Sequence, residues 1–162
     1  MADLISTDEM FYVSATPVHK GRFILYVEGI PAFTIKATGM PSSTTQQLEI
    51  WHINLRKQVA GKTVWNNISF TIQDYITPSG AQAAIEWLRM AHESITGRDG
   101  YPNMYKKDLT LLVLGPTGDK IREWTIKGAF PVNINWGDFD WATDDLNTIE
   151  VEMAIDYAVL NY

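Results

Sequence analysis

Cysteine is absent from the 162 residues, so the chain has no disulfide, no thiolate nucleophile and no sulfur-ligated zinc. Long apolar runs are absent as well. Phe23 to Val27 and Leu109 to Leu114 fall far short of the roughly 20 residues a membrane-spanning helix needs. Met1-Ala2-Asp3 begins no secretion signal, so a soluble chain made in a cytoplasm is expected. Bases are missing from one region. All thirteen Lys and Arg lie at or before Lys127, whereas the 35 residues after it hold seven acids, Asp138, Asp140, Asp144, Asp145, Glu150, Glu152 and Asp156. With a net charge of −6, tight neutralisation of phosphates by clustered bases is disfavoured. A surface that must not hold a polyanion fits that balance.

Catalytic motifs are equally scarce. His19, His52 and His92 have no partner at a metal-ligand spacing. There is no Gly-x-Ser-x-Gly elbow. Gly115 to Asp119 has two glycines but lies between two strand-like runs and lacks the Gly-Lys-Ser/Thr ending that cradles phosphate, so it reads as a turn. Asp138-x-Asp140-x3-Asp144-Asp145 lacks the glycine and the closing glutamate of a helix-loop-helix calcium loop and reads as a solvated loop. The six tryptophans are spread along the chain as core or interface anchors. No catalytic residue, no metal and no cofactor are expected, and the chain does not read as an enzyme.

What is present is alternation. Along Thr148 to Val159, Ile149, Val151, Met153, Ile155, Tyr157 and Val159 fall on one side of an extended strand and Glu150, Glu152, Ala154 and Asp156 on the other. At about 1.5–3 kcal/mol for each large apolar side chain buried, the apolar row fixes the register, because a one-residue slip would expose all of it. Asn67 to Gln73 alternates as cleanly, with Ile68, Phe70 and Ile72 inward and an uncharged row, Asn67, Ser69, Thr71 and Gln73, outward.

The rest of the chain divides around these two strands. Residues 1–20 read as an arm without a regular element. Phe23 to Glu28 and Ala32 to Thr38 read as a hairpin turning at Gly29-Ile30-Pro31. An excursion over 42–66 carries Leu48, Ile50, Trp51, Ile53, Leu55, Val59, Val64 and Trp65, with Gln46 to Asn54 and Arg56 to Ala60 able to pair. Those side chains either fill the domain's own core or await a partner. A helix over 78–96 has Thr77 as N-cap, Pro78 at its first position and Gly97 past its end. Its stripe is Ala81, Ala84, Ile85, Leu88, Ala91 and Ile95, with Trp87 at the margin and Glu86, Arg89 and Glu93 outside. After a loop over 98–107, Leu109 to Leu114 and Lys120 to Lys127 form a second hairpin. Gly128 marks a bulge before Phe130 to Asn135, and a loop from Trp136 to Asn147 follows. The sum is one α+β domain over 1–162, mainly antiparallel, a two-sheet sandwich or barrel with one flanking helix.

Three stretches carry a resemblance: Ile35-Lys36-Ala37-Thr38-Gly39-Met40-Pro41, Ile126-Lys127-Gly128-Ala129-Phe130-Pro131, and Ile149 to Tyr157. Their order and spacing, with Val59-Ala60-Gly61 in the excursion and one helix near the middle, resemble the tail tube protein of contractile-tailed bacteriophages. The resemblance implies a structural virion protein without enzymatic activity, assembled in the host cytoplasm. Six copies would form a ring whose inner sheets join into a closed barrel, and rings would stack into a tube that conducts DNA during ejection. Its partners would be other copies of itself, the sheath, tape-measure, baseplate and tail terminator proteins, and passing DNA bound without sequence preference.

Within that frame, Asn67, Ser69, Thr71, Gln73, Glu150, Glu152 and Asp156 are the candidates to line the lumen, or else face sheath or solvent, since parity alone does not say which face meets the bore. Leu48, Trp51, Leu55, Trp65 and Tyr162 are candidate contacts between rings. Glu86, Arg89 and Glu93 are candidate sheath contacts. The alternatives are the tube of a tailocin or secretion-type injection machine carrying protein, where an inner wall without a strong anionic row is expected, and an initiator or terminator ring that caps the tube.

Overall fold

The computed structural model describes residues 16–161. In chain order they form β1 (Phe23–Tyr26), a 3-10 turn (Ala32–Thr34), β2 (Ile35–Thr38), β3 (Ser43–His52), β4 (Leu55–Trp65), β5 (Ile68–Gln73), α1 (Gly80–Ala91), α2 (Pro102–Tyr105), β6 (Lys107–Leu114), β7 (Lys120–Asn135), β8 (Thr148–Ala154) and β9 (Tyr157–Asn161). All strand pairs are antiparallel. The fold is thus α+β and mainly antiparallel, as expected, but its sheet is not closed into a barrel.

The long strand β7 organises the sheet. Its first part pairs with β6 and β9, and its last part pairs with β8, so seven strands are joined in the order β1-β6-β7-β8-β5-β2 with β9 beside β7. The change of partner falls at Gly128, whose φ of 65° lies where a side chain is disfavoured. The two halves of the sheet share one apolar core: Leu25, Leu109, Leu111 and Ile126 from one half, and Ile68, Phe70, Ile72, Ile149, Val151 and Met153 from the other. β5 and β8 supply their alternate residues to it, as the sequence pattern requires.

Helix α1 covers this core from one side. Ser79 Oγ accepts from the Gln82 backbone N–H at 3.3 Å, which caps the helix two residues later than Thr77 would. Trp87, expected at the margin of the stripe, is instead one of its most buried side chains. Its indole N–H donates to the Tyr105 carbonyl at 2.8 Å, and the Lys107 ammonium sits 5.3 Å from its ring centre, so the indole is satisfied at both its polar edge and its face. The helix ends at Ala91 rather than 96. Glu93 N–H donates to Arg98 O and Gly97 N–H to Glu93 O, closing a turn in which Ile95 is exposed. The expected loop over 98–107 contains the short helix α2.

Two further expectations fail. β1 and β2 are not a hairpin: β1 pairs with β6, and β2 pairs with β5. Gly29, at φ 88°, does turn the chain, but only the bridge Val27–Ile30 closes across it. The final strand is also not continuous. It breaks after Ala154, Asp156 N–H donates to the Lys127 carbonyl at 3.0 Å, and β9 resumes on the other half of the sheet. Parity reverses at the break, so Ala158 is buried while Tyr157 and Val159 are exposed.

Candidate functional site

The polar face of β5 and β8 brings both outward rows together. Ser69 lies opposite Glu152 and Thr71 opposite Glu150. On the far side of β8, Asn133 and Asn135 of β7 lie opposite the same two glutamates. Asn67, Ser69, Asn133, Asn135, Glu150 and Glu152 line one open concavity of about 310 Å³ with no basic side chain among them. Asn67 Nδ2 donates to Glu152 Oε1 at 2.9 Å. The arrangement is a ladder of amides and hydroxyls flanking two carboxylates, each supported by cross-strand neighbours that can hydrate or hydrogen-bond it. It has no nucleophile-base pair, and among the described residues no group of His, Asp and Glu could hold a metal ion.

Asp156, expected in the same row, is elsewhere. It sits in the break between β8 and β9, where both its oxygens accept from Lys106 Nζ at 2.8 Å. The unbroken alternation of the sequence conceals that break. Asn133 and Asn135 were not singled out from the sequence, although they occupy alternate positions of an expected strand with Ile134 between them; that spacing was the available signal.

The excursion is a two-stranded sheet, β3 with β4, separate from the main sheet. Leu48 pairs with Val59, Ile50 with Lys57 and His52 with Leu55, while Trp51 pairs with Arg56 on the opposite face. Nearly every residue of it is exposed. Leu48 is 50% exposed, Trp51 62% and Leu55 78%. The Arg56 guanidinium lies 6.0 Å from the Trp51 ring centre and 3.2 Å from Glu49 Oε1. Of the two sequence readings, an unfilled apolar surface is the one observed. Trp65, at the root, is the exception and packs against the domain's own core. Ile53 at the tip has a φ of 55°, a conformation a β-branched residue adopts only under strain. Glu86 and Arg89 are exposed on α1, whereas Glu93 lies beyond the helix and accepts from Thr96 Oγ1 at 2.6 Å. Tyr162 and residues 1–15 lie outside the described residues.

A two-half antiparallel sheet with a polar, uncatalytic face and a long projecting hairpin is a shape suited to assembly. The family model of the T4-like virus tail tube protein gp19 matches residues 34–159. The chain belongs to that family. The tail tube protein gp19 of Enterobacteria phage T4 is 27% identical over 130 residues, spanning 77% of this chain and 78% of the phage protein. That of phage T6 is 26% identical over the same length and shares. Among solved structures, the fold is shared by the sheath/tube terminator of the extracellular contractile injection system PVC (TM-score 0.75, 18% identity, 92% of this chain and 99% of that one). A chain of the PVC sheath-tube complex in its extended state also shares it (TM-score 0.68, 20% identity, 96% and 97%). As a tail tube protein the chain is a structural component of the phage tail and not an enzyme.

Two ion pairs lie at the β7 crossing. Asp108 Oδ2 accepts from Lys127 Nζ at 2.6 Å, and Asp108 Oδ1 accepts from Gly128 N–H at 3.3 Å. The lysine hydrogen bond holds the Asp108 carboxyl below its usual range, and the carboxylate in turn raises Lys127. With Lys106–Asp156 on the same bulge, two ion pairs bracket Gly128.

Proposed function

We propose that this tail tube protein polymerises as stacked six-membered rings into the inner tube of a contractile tail, and that the concave face of β5, β8 and the end of β7 lines the bore through which DNA passes. The single observation that carries this reading is the convergence of Asn67, Ser69, Asn133, Asn135, Glu150 and Glu152 on one face without a base. Duplex DNA carries about one charge per 1.7 Å of axis, and each neutralising lysine or arginine adds binding that must be undone for the duplex to move. Carboxylates spaced among amides and hydroxyls hydrate the passing backbone and repel it, so it slides. The free edges of β2 and the last part of β7 join between neighbouring copies, which removes two edges that would otherwise pair indiscriminately. The hairpin β3-β4 supplies the ring-to-ring contact through Leu48, Trp51 and Leu55, and the exposed Glu86 and Arg89 of α1 face the sheath.

Reversing the row with Glu150→Lys and Glu152→Lys tests the conduit. Tubes should still assemble, and DNA delivery, scored as infectivity of phage carrying the variant, should fall by orders of magnitude. Normal infectivity of assembled double-mutant tails would overturn the assignment of this face to the bore.

A second reading is a ring that ends the tube rather than one that extends it. It is favoured by the likeness to the PVC terminator and to the cap of the anti-feeding prophage (TM-score 0.74, 15% identity, 91% of this chain and 92% of that one). Open-ended stacking of the purified chain separates the two: a tube protein adds ring upon ring, and a terminator stops at one.

A further inference from the structure

The polar face and the hairpin leave two other surfaces unexplained. The first is the loop over 136–147, which joins the paired ends of β7 and β8. Phe139, Trp141 and Leu146 are largely or fully exposed on it, beside Asp138, Asp144 and Asp145, none of which is in an ion pair among the described residues. The second is a groove of about 580 Å³ between β1 and β2, the two terminal strands of the sheet, with β6 and the start of β7 also lining it. Its walls carry Lys20, Arg22, Lys36 and Arg122 around Val18, Phe23 and Met40, and these four bases are likewise outside the ion pairs of the described residues. One surface therefore presents exposed aromatics among carboxylates, and the other an apolar channel among bases.

We propose that loop 136–147 of one copy seats in the β1-β2 groove of the next copy around the ring, Phe139 and Trp141 entering the channel while the aspartates face Arg22, Lys36 and Arg122. The inference rests on the ring reading above. The two patches share no residue, so a contact between them is heterologous and repeats head to tail, an arrangement that closes into a ring when its rotation permits. Aromatic anchors surrounded by complementary charge are the composition of an interface core and its rim, and the charges select the correct neighbour and register. A chain of net charge −6 gains most from placing its acidic end against its few clustered bases.

Charge reversal on each side, in the full-length chain, tests the contact. Asp138→Lys with Asp144→Lys and Asp145→Lys makes a basic loop facing a basic groove, and Arg22→Glu with Lys36→Glu makes an acidic groove facing an acidic loop. Each variant alone should lose rings by electron microscopy and size-exclusion chromatography. An equimolar mixture should recover them to near the wild-type yield, because alternating copies present opposite charge at every junction. Misfolded variants could not rescue one another. Rings formed normally by either variant alone, or no rings in the mixture while the wild type forms them, would overturn the proposal. So would recovery of rings by the groove variant on deleting residues 1–15, which would make the chain's own N-terminal segment the groove's occupant. A wild type that forms no ring even with baseplate as nucleus would remove the ring reading and this contact with it.

Discussion

At Gly128, φ of 65° is combined with a lack of space: a Cβ there would run into the Asp156 carboxylate. Gly128→Ala should therefore cost about 1–3 kcal/mol, by backbone strain and by displacing Asp156 from Lys106, read as a lower urea midpoint with an unchanged slope. The neighbouring Asp108–Lys127 pair acts more weakly because both side chains are largely exposed. Asp108→Asn should cost under about 1 kcal/mol at neutral pH. The Asp108 carboxyl is lowered by Lys127 and by the Gly128 amide, so its contribution is complete above the unfolded value of about 4 and is lost as pH falls through the lower folded value. Lys127 is raised by Asp108, so its contribution is complete below the ordinary lysine value of about 10.4 and is lost as pH rises through the folded value. The stability difference between wild type and Asp108→Asn should be flat across neutral pH and shrink in acid. A difference that grows in acid would contradict the pairing. Trp87→Phe should leave the Tyr105 carbonyl without its indole donor and cost about 1–3 kcal/mol, measured in the same way.

At the scale of elements, the two strands that build the polar face were legible in the sequence because each buries one complete row. Ile68, Phe70 and Ile72, and Ile149, Val151 and Met153, leave no doubt about parity, and parity fixes which residues share the outer face. What the sequence concealed was pairing at a distance. Gly29-Ile30-Pro31 carries the punctuation of a hairpin, yet β1 and β2 part to opposite halves of the sheet, since local turn chemistry does not specify which strand each meets afterwards. Asp156 leaves the expected row for a related reason: Ile155, Tyr157 and Val159 continue the apolar alternation through a break that shows only in the pairing across the sheet, where Asp156 N–H meets the Lys127 carbonyl and its carboxylate lies over Gly128. A helical wheel puts Trp87 at the edge of its stripe because it gives direction but not reach, and an indole reaches where alanines cannot. The hairpin β3-β4 was legible as surplus apolar surface, though not as a free-standing arm. Its tip gives a direct test. Ile53→Gly relieves the strained φ, so the free subunit should be unchanged or up to about 1 kcal/mol more stable, while ring stacking, if the tip contacts the next ring, should weaken. Stability lost together with stacking would contradict a contact role for the tip.

At the scale of the whole molecule, the proposed function rests on an uneven distribution of charge and apolar surface over one sheet. Bases stop at Lys127, and β8 and the loop before it, both beyond that point, place acids on the concave face and on the β7-β8 connection. The groove between β1 and β2 holds four of the early bases, and the hairpin β3-β4 exposes apolar side chains. On the proposed ring reading, a molecule so divided meets unlike surfaces on its neighbours, which leaves its carboxylate-bearing face for the bore. Helical reconstruction by cryo-electron microscopy of tubes grown from the purified chain tests this most directly. Glu150 and Glu152 should stand on the inner wall, beside Asn133 and Asn135, ringing an open channel. A wall formed by the β1-β6-β9 half of the sheet, with Glu150 and Glu152 turned to the outside of the tube, would contradict it.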